Sequence, residues 1–187
     1  MERFPEIRTE RLWLRRIVEE DIIYVHKGLS HPEVIRFYGV SYTTLEATTE
    51  QMEFYRKTLE DRSGIFWAIC DRNTGEFMGV GGFYEYSEGH RKAEVGYWLL
   101  PEYWSKGFMT EGMGALVEYG FTRMHLHRIE GFVETPNIAC RRAMDKLNFR
   151  HEGKLRDYER KNGEFISLEV YSLLESDLDL VKKYIRF

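Results

Sequence analysis

The chain has 187 residues, a length suited to one domain spanning residues 1–187 with a sizeable core. A net charge of −4 leaves no general basic face for nucleic acid, and 43% hydrophobic residues argue against disorder. Cys70 and Cys140 follow no metal or disulfide spacing and read as reduced thiols, and no run approaches the roughly 18–20 apolar residues of a membrane span, so a soluble, cytoplasmic protein is expected.

Thr9 to Arg16 alternates Leu12 and Leu14 with charged neighbours and reads as an edge-like first strand. Val18 to Leu29 reads as a helix with Glu19, Glu20 and Asp21 in its first turn, ended by Ser30-His31-Pro32. A short helical piece from Ile35 to Tyr38 precedes an amphipathic helix from Thr44 to Glu60 with Leu45, Met52, Tyr55 and Leu59 inside. Ile65–Cys70 and Glu76–Tyr84 form a hairpin about Asn73-Thr74-Gly75, and Gly79, Gly81 and Gly82 point to a bulge or a close backbone approach. Ala93 to Leu100 is an apolar strand closed by Pro101. A Gly-bearing turn follows it, then a helix whose apolar face is Met109, Met113, Leu116, Val117, Gly120 and Met124.

That strand–turn–helix suits a phosphate, because the first helical turn leaves backbone N–H groups unpaired at the positive end of the dipole. Gly107 lets a ligand approach the main chain closely. Neither the nucleoside-triphosphate nor the dinucleotide glycine fingerprint fits. Arg128 to Thr135 alternates and reads as a strand parallel to the one from Ala93, through the helical crossover. A helix then starts at Asn137 as N-cap, with Ala139, Ala143, Met144 and Leu147 facing inward. Past Phe149, a long hairpin turns at Asn162-Gly163, and Ser176 caps a last helix from Asp177 to Tyr184.

Three motifs in this order give the chain its resemblance. Trp104-Ser105-Lys106-Gly107-Phe108-Met109 matches the pyrophosphate turn of the GNAT-superfamily N-acetyltransferases. Asn137, Cys140 and Asp145 to Phe149 match their second helical element. Thr9, Arg11, Leu12, Leu14 and Arg15 match the opening of the branch that acetylates ribosomal-protein N-termini. The resemblance implies an α/β (α+β) fold with a mixed, mostly antiparallel twisted sheet, a splayed parallel strand pair and flanking helices. It implies acetyl-CoA as co-substrate, no metal, and direct attack by a primary amine in a ternary complex. The acceptor is a protein N-terminus, a polyamine or another small metabolite; Glu152 to Arg156 also occurs in polyamine-acetylating relatives. The resemblance leaves room for a homodimer. A non-catalytic acyl-CoA sensor is the rival reading.

The resemblance assigns Ser105, Lys106, Gly107, Phe108, Met109 and Thr110 to the pyrophosphate, Asn137 to the pantetheine arm, and a strand N–H near Trp98 and Leu99 to the thioester carbonyl. It makes Phe37 and Tyr38 candidate walls of the acceptor pocket, with plain core packing the competing reading. Glu94 is the first choice of base and Glu134 the second, with Glu169 a distant third and more a surface residue. The family's usual tyrosine acid is replaced here by Met144, which cannot donate a proton. Cys140 stands where the ribosomal branch often has a serine, and it reads either as a weak donor or as a small buried hydrophobe. His125 and His127 lack a third ligand and read as structural.

Overall fold

Period-two alternation and helical spacing place most of the elements, and local hydrogen bonds adjust their ends. The computed structural model describes residues 4–184. Strands β1 (Ile7–Arg8) and β2 (Leu12–Arg16) lead to helices α1 (Ile22–Leu29), α2 (Pro32–Ile35) and α3 (Thr49–Glu60). Strands β3 (Ile65–Asp71), β4 (Phe77–Ser87) and β5 (Lys92–Leu99) follow. The crossover helix α4 (Phe108–Thr122) leads to β6 (Arg128–Glu134) and α5 (Ile138–Lys146). The hairpin β7 (Arg150–Lys161) and β8 (Glu164–Leu174) precedes a short α6 (Leu178–Val181).

Several ends differ from expectation for local reasons. The first expected helix opens as a 3-10 turn at Glu19–Asp21. There the Asp21 carboxylate accepts the Val18 N–H at 2.9 Å and pairs with both Arg15 terminal nitrogens at 2.7 Å. The next helical piece falls earlier, at Pro32–Ile35, because Pro32 occupies its first turn and the His31 ring accepts the Glu33 N–H. Residues 44–48 form turns, so α3 starts at Thr49 and Leu45 is exposed rather than inside. Ala139 is likewise exposed. The last expected helix is broken into 3-10 turns around α6, and Asp177, not Ser176, accepts the Leu174 N–H.

The strands form one sheet in the order β1-β2-β3-β4-β5-β6-β8-β7. Every neighbouring pair is antiparallel except β5–β6, which is parallel through the α4 crossover. Alternation along β3 sends Trp67 and Ile69 to one face, with Met113, Leu116 and Val117 of α4, Met144 of α5 and Val181 of α6. It sends Phe66, Ala68 and Cys70 to the other, with Val25 and Leu29 of α1, Val34 of α2 and Tyr55 of α3. Among the described residues no helix is long and apolar enough to cross a membrane.

The expected close approach at the β4 glycines is present. A Cβ on Gly82 would lie 2.2 Å from the Ile65 carbonyl oxygen and 2.6 Å from the Phe66 Cα. Both are backbone atoms of the paired strand, so no side-chain rotation relieves the clash. Gly82→Ala is therefore expected to destabilise the protein by about 1–3 kcal/mol or more, read as a lower urea midpoint. An unchanged midpoint would contradict this packing.

Candidate active site

The parallel pairing of β5 and β6 is short. Lys92 pairs with Arg128, Ala93 with Ile129 and Glu94 with Glu130, and the ladder stops there. The next residues are Val95 on β5 and Gly131 on β6. A Cβ on Gly131 would lie 2.2 Å from the Met144 methyl and 3.8 Å from a Val95 methyl. The buried side chain of Met144 thus packs over Gly131, on the sheet face at the point where the strands part.

The edge of β5 beyond Glu94 is consequently left without a strand partner. The Leu100 N–H donates to the Met78 carbonyl of β4 at 2.8 Å, and Gly79 stands opposite Leu99. Antiparallel alternation then turns the backbone of Trp98 and Gly96 to β4, and that of Tyr97 and Leu99 to the gap. The Leu99 carbonyl agrees, since it accepts the Trp104 indole N–H at 2.8 Å. Leu99 therefore presents its N–H to the gap, while Trp98 presents its own to β4. Trp98 belongs to the β4 ladder, and its buried ring meets Gly28 and the Tyr55 hydroxyl on the far face.

At the open end of the gap stands the turn into α4. Ser105 and Gly107 both have left-handed backbone angles, φ +60° and +84°. Gly107 is the N-cap of α4 and no side chain caps that end, whereas the Glu111 N–H closes the first helical bond onto the Gly107 carbonyl. The N–H groups of Phe108, Met109 and Thr110 therefore precede the helical ladder and lack helical partners. Ser105, Lys106 and Gly107 are exposed. At α5 the Asn137 side chain accepts the Cys140 N–H at 3.1 Å, as a cap should. Cys140 packs half-buried against the α4-side core, and burial pushes its thiol up to about 11, so it holds its proton at neutral pH.

The carboxylates divide clearly. Glu94 is half-buried and hydrogen-bonded to the Tyr84 hydroxyl opposite it on β4. Burial, then the charges of Glu130 and Glu159, pushes its pKa up to about 7. Tyr38 lies on the same side. It is raised well above its ordinary value by burial first, then by Tyr55, Tyr42 and Glu94 around it. Tyr84 bonds Glu94, and Tyr42 and Tyr55 surround Tyr38; their spacing in the sequence carries no signal of this gathering. Glu134 is ion-paired with the Lys161 ammonium at 2.5 Å, which also donates to the Arg36 carbonyl at 2.8 Å. Glu169 is buried rather than at the surface, held by the Thr135 hydroxyl at 2.9 Å and the His151 ring at 2.7 Å. His125 and His127 lie in the segment between α4 and β6, outside both elements.

A split parallel pair, an uncapped glycine turn and a carboxylate of raised pKa beside the split can hold a thioester and receive a proton from an amine. Residues 11–150 match the family described as acetyltransferase (GNAT) domain. The chain belongs to the GNAT acetyltransferase family. The uncharacterized N-acetyltransferase YoaA of Bacillus subtilis is 36% identical over 92% of this chain and 98% of its own length. Escherichia coli spermidine N(1)-acetyltransferase is 31% identical over 81% of this chain and 80% of its own. The Bacillus subtilis protein YdaF, named provisionally as a ribosomal N-acetyltransferase, is 32% identical over 66% of each. The solved structure of spermidine N-acetyltransferase from Vibrio cholerae, in complex with CoA and spermine, shares the fold. Its TM-score is 0.80 at 23% identity, covering 89% of this chain and 97% of that one. The GNAT fold and the N-acetyltransferase class expected from the motifs are thus correct, while the ribosomal branch is one among relatives of several names.

The raised pKa of Glu94 has a stability consequence. The native state keeps the Glu94 proton up to about pH 7, while a free carboxyl loses it near 4.5. Native protein therefore binds more protons in that window, and stability falls as pH rises through it. Glu94→Gln removes this loss, so its melting temperature is expected to exceed wild type's at pH 8 and to match it at pH 4. Equal melting temperatures at both values would show that Glu94 titrates normally.

Proposed function

We propose that the protein transfers the acetyl group of acetyl-CoA to a primary amine by direct attack in a ternary complex. The observation that carries this reading is Glu94, a carboxylate poised near neutral pH beside the end of the β5–β6 ladder. Acetyl-CoA supplies the acetyl group as a thioester. The amides from Gly107 to Thr110 would receive its diphosphate, with Ser105 and Lys106 beside them, and Asn137 would face the pantetheine arm while it caps α5. The Leu99 N–H would donate to the thioester carbonyl as charge develops there. Glu94 would take the proton that the ammonium must lose before it can attack, directly or through one water. Glu134, held by Lys161, is the weaker candidate for that role.

The acceptor we favour is a small polycationic amine. Glu130 is already held by Lys92 and Arg128, but Glu159 adds negative charge felt by Glu94, which favours cations at this mouth, and tyrosine rings beside it suit an ammonium. The spermidine acetyltransferases among the relatives support the same choice. A protein N-terminus remains the second reading through the Thr9-x-Arg11-Leu12-x-Leu14-Arg15 opening.

Thiol release from acetyl-CoA across polyamines, monoamines and N-terminal peptides tests the choice. Spermidine or spermine is expected to give the highest kcat/KM, with an acid limb near pH 7, and Glu94→Gln should lose about 10²–10⁴-fold. A peptide acceptor ahead of every polyamine would reverse the substrate assignment. CoA binding with no turnover on any amine would support the sensor. Full activity in Glu94→Gln would pass the base role to Glu134.

Cys140, protonated at neutral pH, would protonate the departing thiolate, although its burial makes it a weaker acid than an ordinary thiol. Cys140→Ser is then expected to keep substantial activity and Cys140→Ala to lose at least about tenfold, at similar melting temperatures. If Ala is fully active and Ser is the destabilised variant, Cys140 only packs.

A further inference from the structure

The opening Thr9-x-Arg11 has a partner about a hundred residues away. Glu111, in the first turn of α4, is buried. Its carboxylate accepts the Thr9 hydroxyl at 2.6 Å, the Arg11 N–H at 2.9 Å and the Arg11 Nε at 2.7 Å, and it pairs with Arg11 Nη2 at 2.6 Å. The remaining guanidinium nitrogen, Nη1, donates to the Lys106 carbonyl at 3.1 Å. The guanidinium also lies 4.4 Å from the centre of the Phe108 ring, and a Cβ on Gly107 would meet Nη2 at 3.4 Å. Arg11 is thus braced from behind by Glu111 and set against the back of the turn.

The stereochemistry of one peptide gives this contact a consequence. In a trans peptide the carbonyl and the next N–H point in opposite directions. Drawing the Lys106 carbonyl to Arg11 therefore directs the Gly107 N–H away from Arg11. Glycine accepts either sign of φ, so the Lys106–Gly107 peptide has no intrinsic reason to hold that direction. We propose that Arg11 is a positioning residue that locks this peptide, so that the Gly107 N–H joins the first amides of α4 in facing the donor's diphosphate. Glu111 and Thr9 orient Arg11 for that task. The inference rests on the reading that this turn holds the CoA diphosphate.

The test uses CoA itself and needs no acceptor. The double variant Arg11→Gln/Glu111→Gln removes the lock without leaving a buried charge unpaired, so the fold stays open to measurement. Calorimetry is expected to show CoA binding weakened about ten- to a hundredfold, in a protein melting close to wild type. In amide NMR spectra, the wild-type Gly107 resonance, assigned through Gly107→Ala, should move downfield on CoA binding; in the double variant it should not. Arg11→Lys keeps the charge but lacks the fork, and is expected to weaken binding similarly.

Unchanged affinity in the double variant would overturn the proposal. So would weakened binding with the Gly107 shift intact, or full affinity in Arg11→Lys, since either makes Arg11 a charge and not a lock. Gly107→Val separates this failure from that of the underlying reading. If it weakens CoA binding while the Arg11 variants do not, only the lock is wrong. If it changes nothing and the wild-type Gly107 resonance stays still, the turn is not the diphosphate site and both fall.

Discussion

The structure depends on a parallel ladder that stops after Glu94 and Glu130. Had β5 and β6 stayed paired to their ends, the Tyr97 and Leu99 amides would be spent within the sheet. Separation costs those backbone bonds, and the packing of α5 offsets the cost by setting Met144 where the strands diverge. Gly131 is what makes room for it, since a side chain there would meet the Met144 methyl. The methionine that cannot act as an acid therefore has a definite occupation in this chain, as part of the wall that keeps the gap open.

The two sides of the gap, which we propose receive donor and acceptor, are built by different means. On the donor side the groups are backbone amides, whose direction depends on φ at Ser105 and Gly107 and on the Arg11 brace behind them. Side-chain identity at Trp104 and Met109 would matter little here, because the turn would act through its main chain. The Trp104 indole instead takes the gap-facing Leu99 carbonyl, leaving a donor rather than an acceptor to be met at that residue. On the acceptor side the groups are side chains, and their chemistry is set by neighbours. Glu94 and Glu130 are adjacent across the strands, yet Lys92 and Arg128 hold Glu130 below its ordinary range against its burial, while Glu94 has no such cation and rises.

What could be read from residues alone follows the same division. The order of strands, the parallel crossover, the Asn162-Gly163 turn and the glycine turn into α4 were all legible, because alternation and backbone chemistry are local properties. The phase of the β5 backbone was not, since choosing Leu99 over Trp98 requires knowing that Leu100 bonds Met78. Glu169 could not be placed, because its burial depends on the His151 and Thr135 partners that the fold brings to it. Tyr84 and Tyr38 beside Glu94, and Tyr42 and Tyr55 around Tyr38, share no periodic pattern. Helix ends failed where a single side chain intervened, as Asp21 and Asp177 did.

Lys161, beside the tip of the β7–β8 hairpin, joins Glu134 at the end of β6 to the Arg36 carbonyl just past α2, across 125 positions of sequence. One ammonium thus ties the segment just past α2 to the end of β6 and the β7–β8 hairpin, which are themselves neighbours in the sheet. Insertions in that hairpin or in the α2–α3 connection would remodel the clasp while leaving the α4 turn and its brace in place. On the proposed reading of the site, the choice of acceptor can drift on one set of loops while the donor stays constant on another.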